Sequence, residues 1–178
     1  MVTIHRSDIG QLADRYVCIT SADPPTAGLV GARTLLAFLK DEFIAELGAR
    51  AHKLTVGSSK NFDMDMGTLA GQAQLDRVSG FVDQAIESGA KVLSGGHALP
   101  EIGPYFYAPT VITDVTSAAD LYRKEVFGPL LDVEGYDSIA EAIDLANDTE
   151  YGLNASVVGP KREALRVASQ LMAGSVNI

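Results

Sequence analysis

The sequence predicts an α/β fold with three layers, in which a mainly parallel sheet is flanked by helices. Short apolar and β-branched runs of strand length alternate with longer runs whose apolar residues recur every three or four positions. Gly and Pro residues separate these runs, as they do at turns. With 178 residues, 47% of them hydrophobic and 21% charged, the chain can form one domain with a sizeable core. Because it ends on an apolar run instead of a polar tail, we expect a truncated domain.

The first part of the chain shows less regular secondary-structure patterns than the second. Residues 1–31 are expected to be irregular, since Pro24 and Pro25 interrupt any long element. From Arg33 to Leu54 the apolar residues recur at intervals of three or four, which predicts one amphipathic helix. We therefore divide the chain into an irregular segment at 1–31 and an α/β unit at 32–178.

The second part alternates more regularly. A helix from Leu75 to Ile86 is expected to end at Gly89. Five strands are expected at Lys91–Leu93, Tyr105–Val115, Leu130–Val133, Ala155–Val158 and Ser175–Ile178. Ser138 and Glu141 form a capping box, in which the hydroxyl and the carboxylate each accept a hydrogen bond from a free backbone N–H at a helix start. Pro160 marks the start of the last helix.

Composition limits the classes of partner. The net charge of -9 argues against nucleic acid and against anionic membrane surfaces. No apolar run reaches the length of about 18 residues that a spanning helix needs. A lone cysteine, Cys18, cannot form an internal disulfide and fits a reducing compartment, so we expect a cytoplasmic protein. Three scattered histidines lack ligand spacing, and we expect no metal site.

The segment Lys124–Pro129 joins an acid and an aromatic residue, Glu125 and Phe127, to a tight Gly-Pro turn. An apolar strand and a helix follow, and the helix runs into the segment Ala146–Asn154, which reads ANDTEYGLN. A rigid turn fixes the position of a carboxylate, and a carboxylate can accept hydrogen bonds from two hydroxyl groups. An isolated Glu-x-Phe is usually a solvated acid before a core aromatic. The complete motif favours a binding role instead.

This motif resembles the E-x-F-G-P segment of the NAD(P)-dependent aldehyde dehydrogenase family. The resemblance covers roughly residues 41–178 and consists of short matches in the same order. They are Asp41-Glu42-Phe43, Asp65-Met66-Gly67-Thr68-Leu69, Gln74-Leu75-Asp76-Arg77-Val78, Gly89 to Gly96, Tyr105 to Val111 and Ala173 to Ile178. The residues of these matches, especially Met66-Gly67 and Tyr151 to Val157, are most similar to those of the succinate-semialdehyde dehydrogenase branch.

The resemblance implies the fold of the family's catalytic domain and its chemistry. In the family a cysteine thiolate attacks a small aldehyde, a hydride passes to NAD or NADP, and a glutamate activates water to hydrolyse the thioester. The glutamate of E-x-F-G-P, here Glu125, hydrogen-bonds the ribose beside the nicotinamide. The phenylalanine, here Phe127, packs near the ring. A homo-oligomer is also implied.

Parts of the family pattern are missing. No Gly-rich phosphate turn follows a strand and opens a helix, and Gly95-Gly96 is interpreted as a turn. Glu46-Leu47-Gly48 resembles the family's general-base motif but lies in a predicted helix, and we interpret it as structural. The family nucleophile should fall near Gly28 or Leu29, where there is no cysteine. Either Cys18 is the nucleophile after an insertion, or it is an ordinary apolar filler in an unrelated segment.

The leading hypothesis is the catalytic-domain portion of an aldehyde dehydrogenase, oxidising a small aldehyde such as succinate semialdehyde. We expect the isolated chain to be inactive, because the nucleotide-binding half and the base are missing. The alternative is a non-catalytic fragment or a self-associating remnant of such an enzyme, driven by an exposed sheet edge. A small binding module unrelated to dehydrogenases would require the ordered matches to be coincidence.

Overall fold

The structure is a computed structural model, and it describes residues 18–21, 32–37, 40–58 and 60–178. The strands in these ranges are β1 Cys18–Ser21, β2 Ala32–Ala37, β3 Lys91–Ser94, β4 Thr110–Thr113, β5 Leu130–Tyr136, β6 Asn154–Val158 and β7 Ser175–Asn177. The helices are α1 Lys40–His52, α2 Gln72–Glu87, α3 Asp120–Arg123, α4 Ile139–Asn147 and α5 Lys161–Ala168. In the same ranges, every helix is too short or too polar to cross a membrane.

The described strands form one sheet in the order β3-β4-β5-β2-β1-β6-β7. The pairs β4–β5, β2–β5 and β6–β7 are parallel. Strand β3 is antiparallel to β4, and β1 is antiparallel to both of its neighbours. All strands except β1 and β3 therefore run in one direction, which confirms the expected mainly parallel sheet.

Helices cover both faces of this sheet. Val111 and Ile112 are neighbours on β4, so their side chains point to opposite faces. Val111 packs in one buried cluster with Leu47 of α1. Ile112 packs in another with Val82 of α2. The helix–sheet–helix arrangement confirms the predicted three layers.

A third buried cluster holds the far side of the sheet together. It joins Ala142 and Ile143 of α4 to Ala164 and Val167 of α5, around Val157 of β6.

The capping box that starts α4 is present. Its hydroxyl, on Ser138, accepts from the backbone N–H of Glu141 at 3.2 Å. The Glu141 carboxylate accepts from the N–H of Asp137 at 2.7 Å, next to the cap residue.

Two expectations for the first part of the chain need correction. The range 1–31 was expected to be irregular, yet residues 18–21 form β1; the rest of that range lies outside the described residues. The single helix expected from Arg33 to Leu54 is a strand, β2, followed by α1. All six residues of β2 pair in parallel with β5. We attribute the difference to this ladder, since tertiary pairing overrides a helical pattern in a short segment.

The strand expected from Tyr105 to Val115 is also shorter. Regular pairing is restricted to β4, which lies inside the sheet between β3 and β5. Tyr105 and Asp114 have positive φ angles of 69° and 60°, which are incompatible with a continuous strand. Pro109 directly precedes β4, a position that a residue without an N–H tolerates.

Candidate functional site

The segment Lys124–Pro129 links α3 to the start of β5 and combines one anchored with one exposed side chain. Val126 is 1% exposed and belongs to the core cluster beneath α2. Phe127, the next residue, is 57% exposed. The buried valine therefore fixes the segment, and the phenylalanine ring is presented to the outside.

Phe127 adopts an uncommon backbone conformation. Its φ angle is +56°, in the left-handed region, where a residue other than Gly costs about 1 kcal/mol or more. The side-chain amide of Gln74, on α2, donates to the carbonyl oxygens of Val126 at 2.8 Å and Phe127 at 2.6 Å. These bonds offset the cost. The position of the Phe127 ring is therefore fixed from α2 in spite of the strained backbone.

Glu125 lies on the same segment and is partly buried. Nη2 of Arg77, also on α2, donates to its carbonyl oxygen at 3.0 Å. Its backbone N–H donates to the hydroxyl oxygen of Tyr151 over a long 3.5 Å. The backbone that carries the Glu125 carboxylate is thus held from α2 on one side and from the 147–154 segment on the other.

The Gly-Pro turn closes the segment against the core. A Cβ atom on Gly128 would lie 2.5 Å from Cγ2 of Val78, so only glycine fits there without movement. The carbonyl oxygen of Pro129 accepts from the N–H of Thr110 at 2.8 Å. The turn is therefore pressed onto α2 and tied to the start of β4.

The segment before β6 lies at the same end of the sheet, because β4, β5, β6 and β7 run in one direction. Asn147 ties this segment to the segment before β7. Its amide group donates to the Gln170 carbonyl at 3.0 Å and accepts from the Met172 N–H at 2.8 Å. Tyr151 and Leu153 are exposed beside it. Phe127, Tyr151 and Leu153 are thus exposed apolar residues at the end of the sheet where these strands begin.

Cys18 lies elsewhere in the sheet. It pairs with Leu36 of β2, and Leu36 pairs with Gly135 of β5. Gly135 is five residues along the strand from Leu130, about 17 Å at ~3.3 Å per residue. The structure therefore brings Glu125 and Phe127 together and leaves Cys18 toward the opposite end. The register thus separates Cys18 from the Lys124–Pro129 segment along the strand direction.

The two other candidate motifs, Glu46-Leu47-Gly48 and Gly95-Gly96, lie in a helix and in the loop that follows β3. Glu46 lies in α1 and forms an ion pair with Arg50 at 2.8 Å; hydrogen bonding to this arginine lowers the pKa of the Glu46 carboxyl. Gly95 and Gly96 have φ angles of +69° and +81°, and a Cβ on Gly95 would collide with the carbonyl oxygen of Pro109. The described residues contain no group of three or more His, Cys, Asp or Glu side chains that could hold a metal ion.

Sequence reasoning did not identify the residues that hold the segment. Gln74 and Arg77 are three positions apart and therefore lie on one face of α2. Other polar residues, Gln72, Asp76 and Ser79, surround this pair in the sequence, so its composition did not distinguish it. Their partners are about fifty residues away, and no local pattern connects them.

Comparisons with known proteins relate this chain to one family. Residues 35–178 match the model of the aldehyde dehydrogenase family. A Mycolicibacterium smegmatis protein named "putative succinate-semialdehyde dehydrogenase (NADP+)" is 48% identical over 139 residues, which cover 78% of this chain and 27% of that protein. A Mycobacterium ulcerans protein of the same name, numbered 2, is 45% identical over 141 residues, 79% of this chain and 27% of that protein. The chain thus spans about a quarter of the length of these relatives.

Solved structures give the same result. The succinate-semialdehyde dehydrogenase from Burkholderia pseudomallei matches with a TM-score of 0.73 and 34% identity, covering 78% of this chain and 29% of that one. The betaine aldehyde dehydrogenase from Staphylococcus aureus in complex with NAD+ matches with a TM-score of 0.75 and 34% identity. That match covers 79% of this chain and 29% of the other.

Proposed function

This chain belongs to the aldehyde dehydrogenase family, and we propose that it supplies the nicotinamide-ribose contact of an NAD(P)-dependent aldehyde dehydrogenase. The observation that carries the proposal is the braced segment Lys124–Pro129. It holds the Glu125 carboxylate and the exposed Phe127 ring on one short turn that α2 and β4 fix from outside.

The residues present fit this cofactor. A carboxylate is acceptor-only when ionised, so Glu125 can accept hydrogen bonds from both hydroxyl groups of a ribose. An exposed aromatic ring such as that of Phe127 offers a flat apolar face on which a nicotinamide can pack. When bound, the nucleotide supplies the acceptor for the hydride of the aldehyde. The role of the chain's own residues is to bind and orient it.

The proposed reaction of the whole enzyme is the oxidation of a small aldehyde, succinate semialdehyde, to its carboxylic acid. The names of the relatives support this substrate and favour NADP, whereas one similar solved structure contains NAD+. We propose that the isolated chain does not catalyse the reaction, since the register separates Cys18 from Glu125 and Phe127.

Saturation-transfer NMR with NADP+ tests the binding role directly. We expect transfer from the wild-type chain to the nicotinamide and ribose protons. Replacing Glu125 by Gln leaves fewer strong acceptors, so Glu125→Gln should bind about tenfold more weakly. Glu101→Gln, at an exposed glutamate in another loop, is the matched control and should bind as wild type does. Equal transfer to Glu125→Gln and wild type would contradict the proposal.

The activity arm uses the same chain with NADP+ and succinate semialdehyde. We expect no growth of the absorbance of reduced nicotinamide. Steady growth would contradict the proposed inactivity. If that growth disappeared on Cys18→Ser, it would restore Cys18 as the nucleophile.

A second candidate role is self-association into a homo-oligomer, as a non-catalytic remnant. Strand β7 is the last strand of the described sheet, and Met172 and Ile178, which flank it, are 71% and 58% exposed. An open strand edge beside apolar side chains favours pairing with another copy. Light scattering tests this role: a dimer or larger species supports it, and a mass equal to the 18.8 kDa of one chain contradicts it.

A further inference from the structure

We propose that Gln74 is a positioning residue, which orients Phe127 and Glu125 toward the nucleotide by holding the carbonyl groups behind them; this inference rests on the function proposed above. Gln74 lies in the first turn of α2 and bonds to the backbone of the segment that carries these two side chains. Its two amide hydrogens bond the carbonyl oxygens of Val126 and Phe127 at 2.8 and 2.6 Å.

The hydrogen bonds leave little freedom to the segment behind the ring. An amide group has two N–H donors, and Gln74 uses both on successive carbonyl groups. Arg77, one helical turn later, donates to the carbonyl oxygen of Glu125 at 3.0 Å. Three carbonyl groups in a row therefore accept from one face of α2, and none of the three residues belongs to a described helix or strand.

The backbone of Phe127 is the part that depends most on Gln74. Val126 is anchored by burial in the core, and Gly128 is held against Val78. Between these fixed points, Phe127 has a φ angle of +56°, which a phenylalanine does not adopt without compensation. Without the Gln74 amide, this peptide is expected to relax to a negative φ angle. The ring and the neighbouring carboxylate would then lose their fixed relation.

Two variants separate hydrogen bonding from packing. Gln74→Ala removes the side chain, whereas Gln74→Glu keeps its size and replaces the donors with a carboxylate that repels the two carbonyl oxygens. The matched control is Gln72→Ala on the same helix, because the Gln72 amide donates to Asp76 of its own helix, at 2.7 Å. Circular dichroism checks that each variant retains the fold.

Amide hydrogen exchange, resolved by NMR, measures how firmly the segment is held when no nucleotide is present. The reporters are the N–H groups of Thr110 and Leu130, which donate to Pro129 and Gly128 of the turn. We expect about tenfold faster exchange in Gln74→Ala and Gln74→Glu, and no change in Gln72→Ala. If Gln74→Glu exchanges as wild type does, size and not donation holds the segment, and the inference is wrong.

NADP+ affinity is the second readout, because a purely structural residue would not change it. We expect both Gln74 variants to bind about tenfold more weakly than wild type. Faster exchange with unchanged affinity would overturn the positioning role and leave the proposed function intact. If the wild-type chain does not bind NADP+, the proposed function fails, and with it the orientation toward nucleotide. The exchange data would then still decide whether Gln74 holds the segment.

Discussion

Gly128→Ala is the substitution whose effect follows most directly from the packing of the candidate site. Gly128 is buried, and it has no positive φ angle that would itself require glycine. The constraint is one of space, since a Cβ atom there would lie 2.5 Å from Cγ2 of Val78. Ordinary carbon contacts begin at about 3.4 Å, so the difference is 3.4 − 2.5 = 0.9 Å. Val78 is fully buried and cannot move that far freely.

The expected cost follows from this overlap. Adding a methyl group to a well-packed core destabilises a protein by about 1–3 kcal/mol, and we expect about 2 kcal/mol here. Val78→Ala removes the atoms that collide and leaves a cavity, which we also expect to cost about 2 kcal/mol. In the double variant the added methyl group occupies part of that cavity. The double variant should therefore be no less stable than Val78→Ala alone.

Urea unfolding of the wild type, the two single variants and the double variant measures this coupling. Gly80→Ala, in the middle of α2, is the control, since a Cβ there meets nothing within 4 Å. It should stabilise the protein by about 0.5–1 kcal/mol, because alanine is the better helix former. A Gly128→Ala cost that is the same with and without Val78→Ala would refute the packing argument, as would no cost at all.

Three further predictions concern other parts of the fold. Ser138→Ala should lower the free energy of unfolding by about 1 kcal/mol in urea titrations, because it removes the cap of α4, whereas Ser138→Asp should retain it. Burial raises the pKa of Tyr107 from 10.0 to about 12, so between these pH values the folded state keeps the Tyr107 proton and the unfolded state loses it. The free energy of unfolding should therefore fall between pH 10 and 12, by about 2–3 kcal/mol more in wild type than in Tyr107→Phe. The same fall in both proteins would exclude this linkage. Hydrogen bonds from the N–H and hydroxyl of Thr55 lower the pKa of the Asp65 carboxyl from 3.8. The advantage of wild type over Asp65→Asn in thermal unfolding should be present above pH 3.8 and lost as the pH falls further, and an advantage that persists in acid would contradict the assignment.

Most of the fold beyond α1 could be predicted from the sequence because its signals are local. The apolar face of α2, the Ser138 cap and the apolar runs of β5 and β6 each lie within a few residues. Strand β2 could not be predicted, since its six residues carry a helical spacing and become a strand only through pairing with β5, almost a hundred residues away. A local sequence pattern does not identify a pairing partner at such a distance.

The candidate site divides in the same way. The motif itself identified Glu125 and Phe127, because acid, aromatic, Gly and Pro stand together in the sequence. The left-handed conformation of Phe127 and its hydrogen bond from Gln74 depend on a contact between residues 53 positions apart. Similarly, the position of Cys18 relative to the motif follows only from the register of β1, β2 and β5.

The most direct test of the nucleotide contact is to map NADP+ binding on the amide NMR spectrum of the chain. The account predicts chemical-shift changes centred on Glu125 to Gly128, with smaller changes at Tyr151, whose hydroxyl accepts from the Glu125 N–H. These changes should weaken in Glu125→Gln and persist in Glu101→Gln. Changes centred elsewhere on the folded chain, or none at saturating nucleotide, would contradict the central claim.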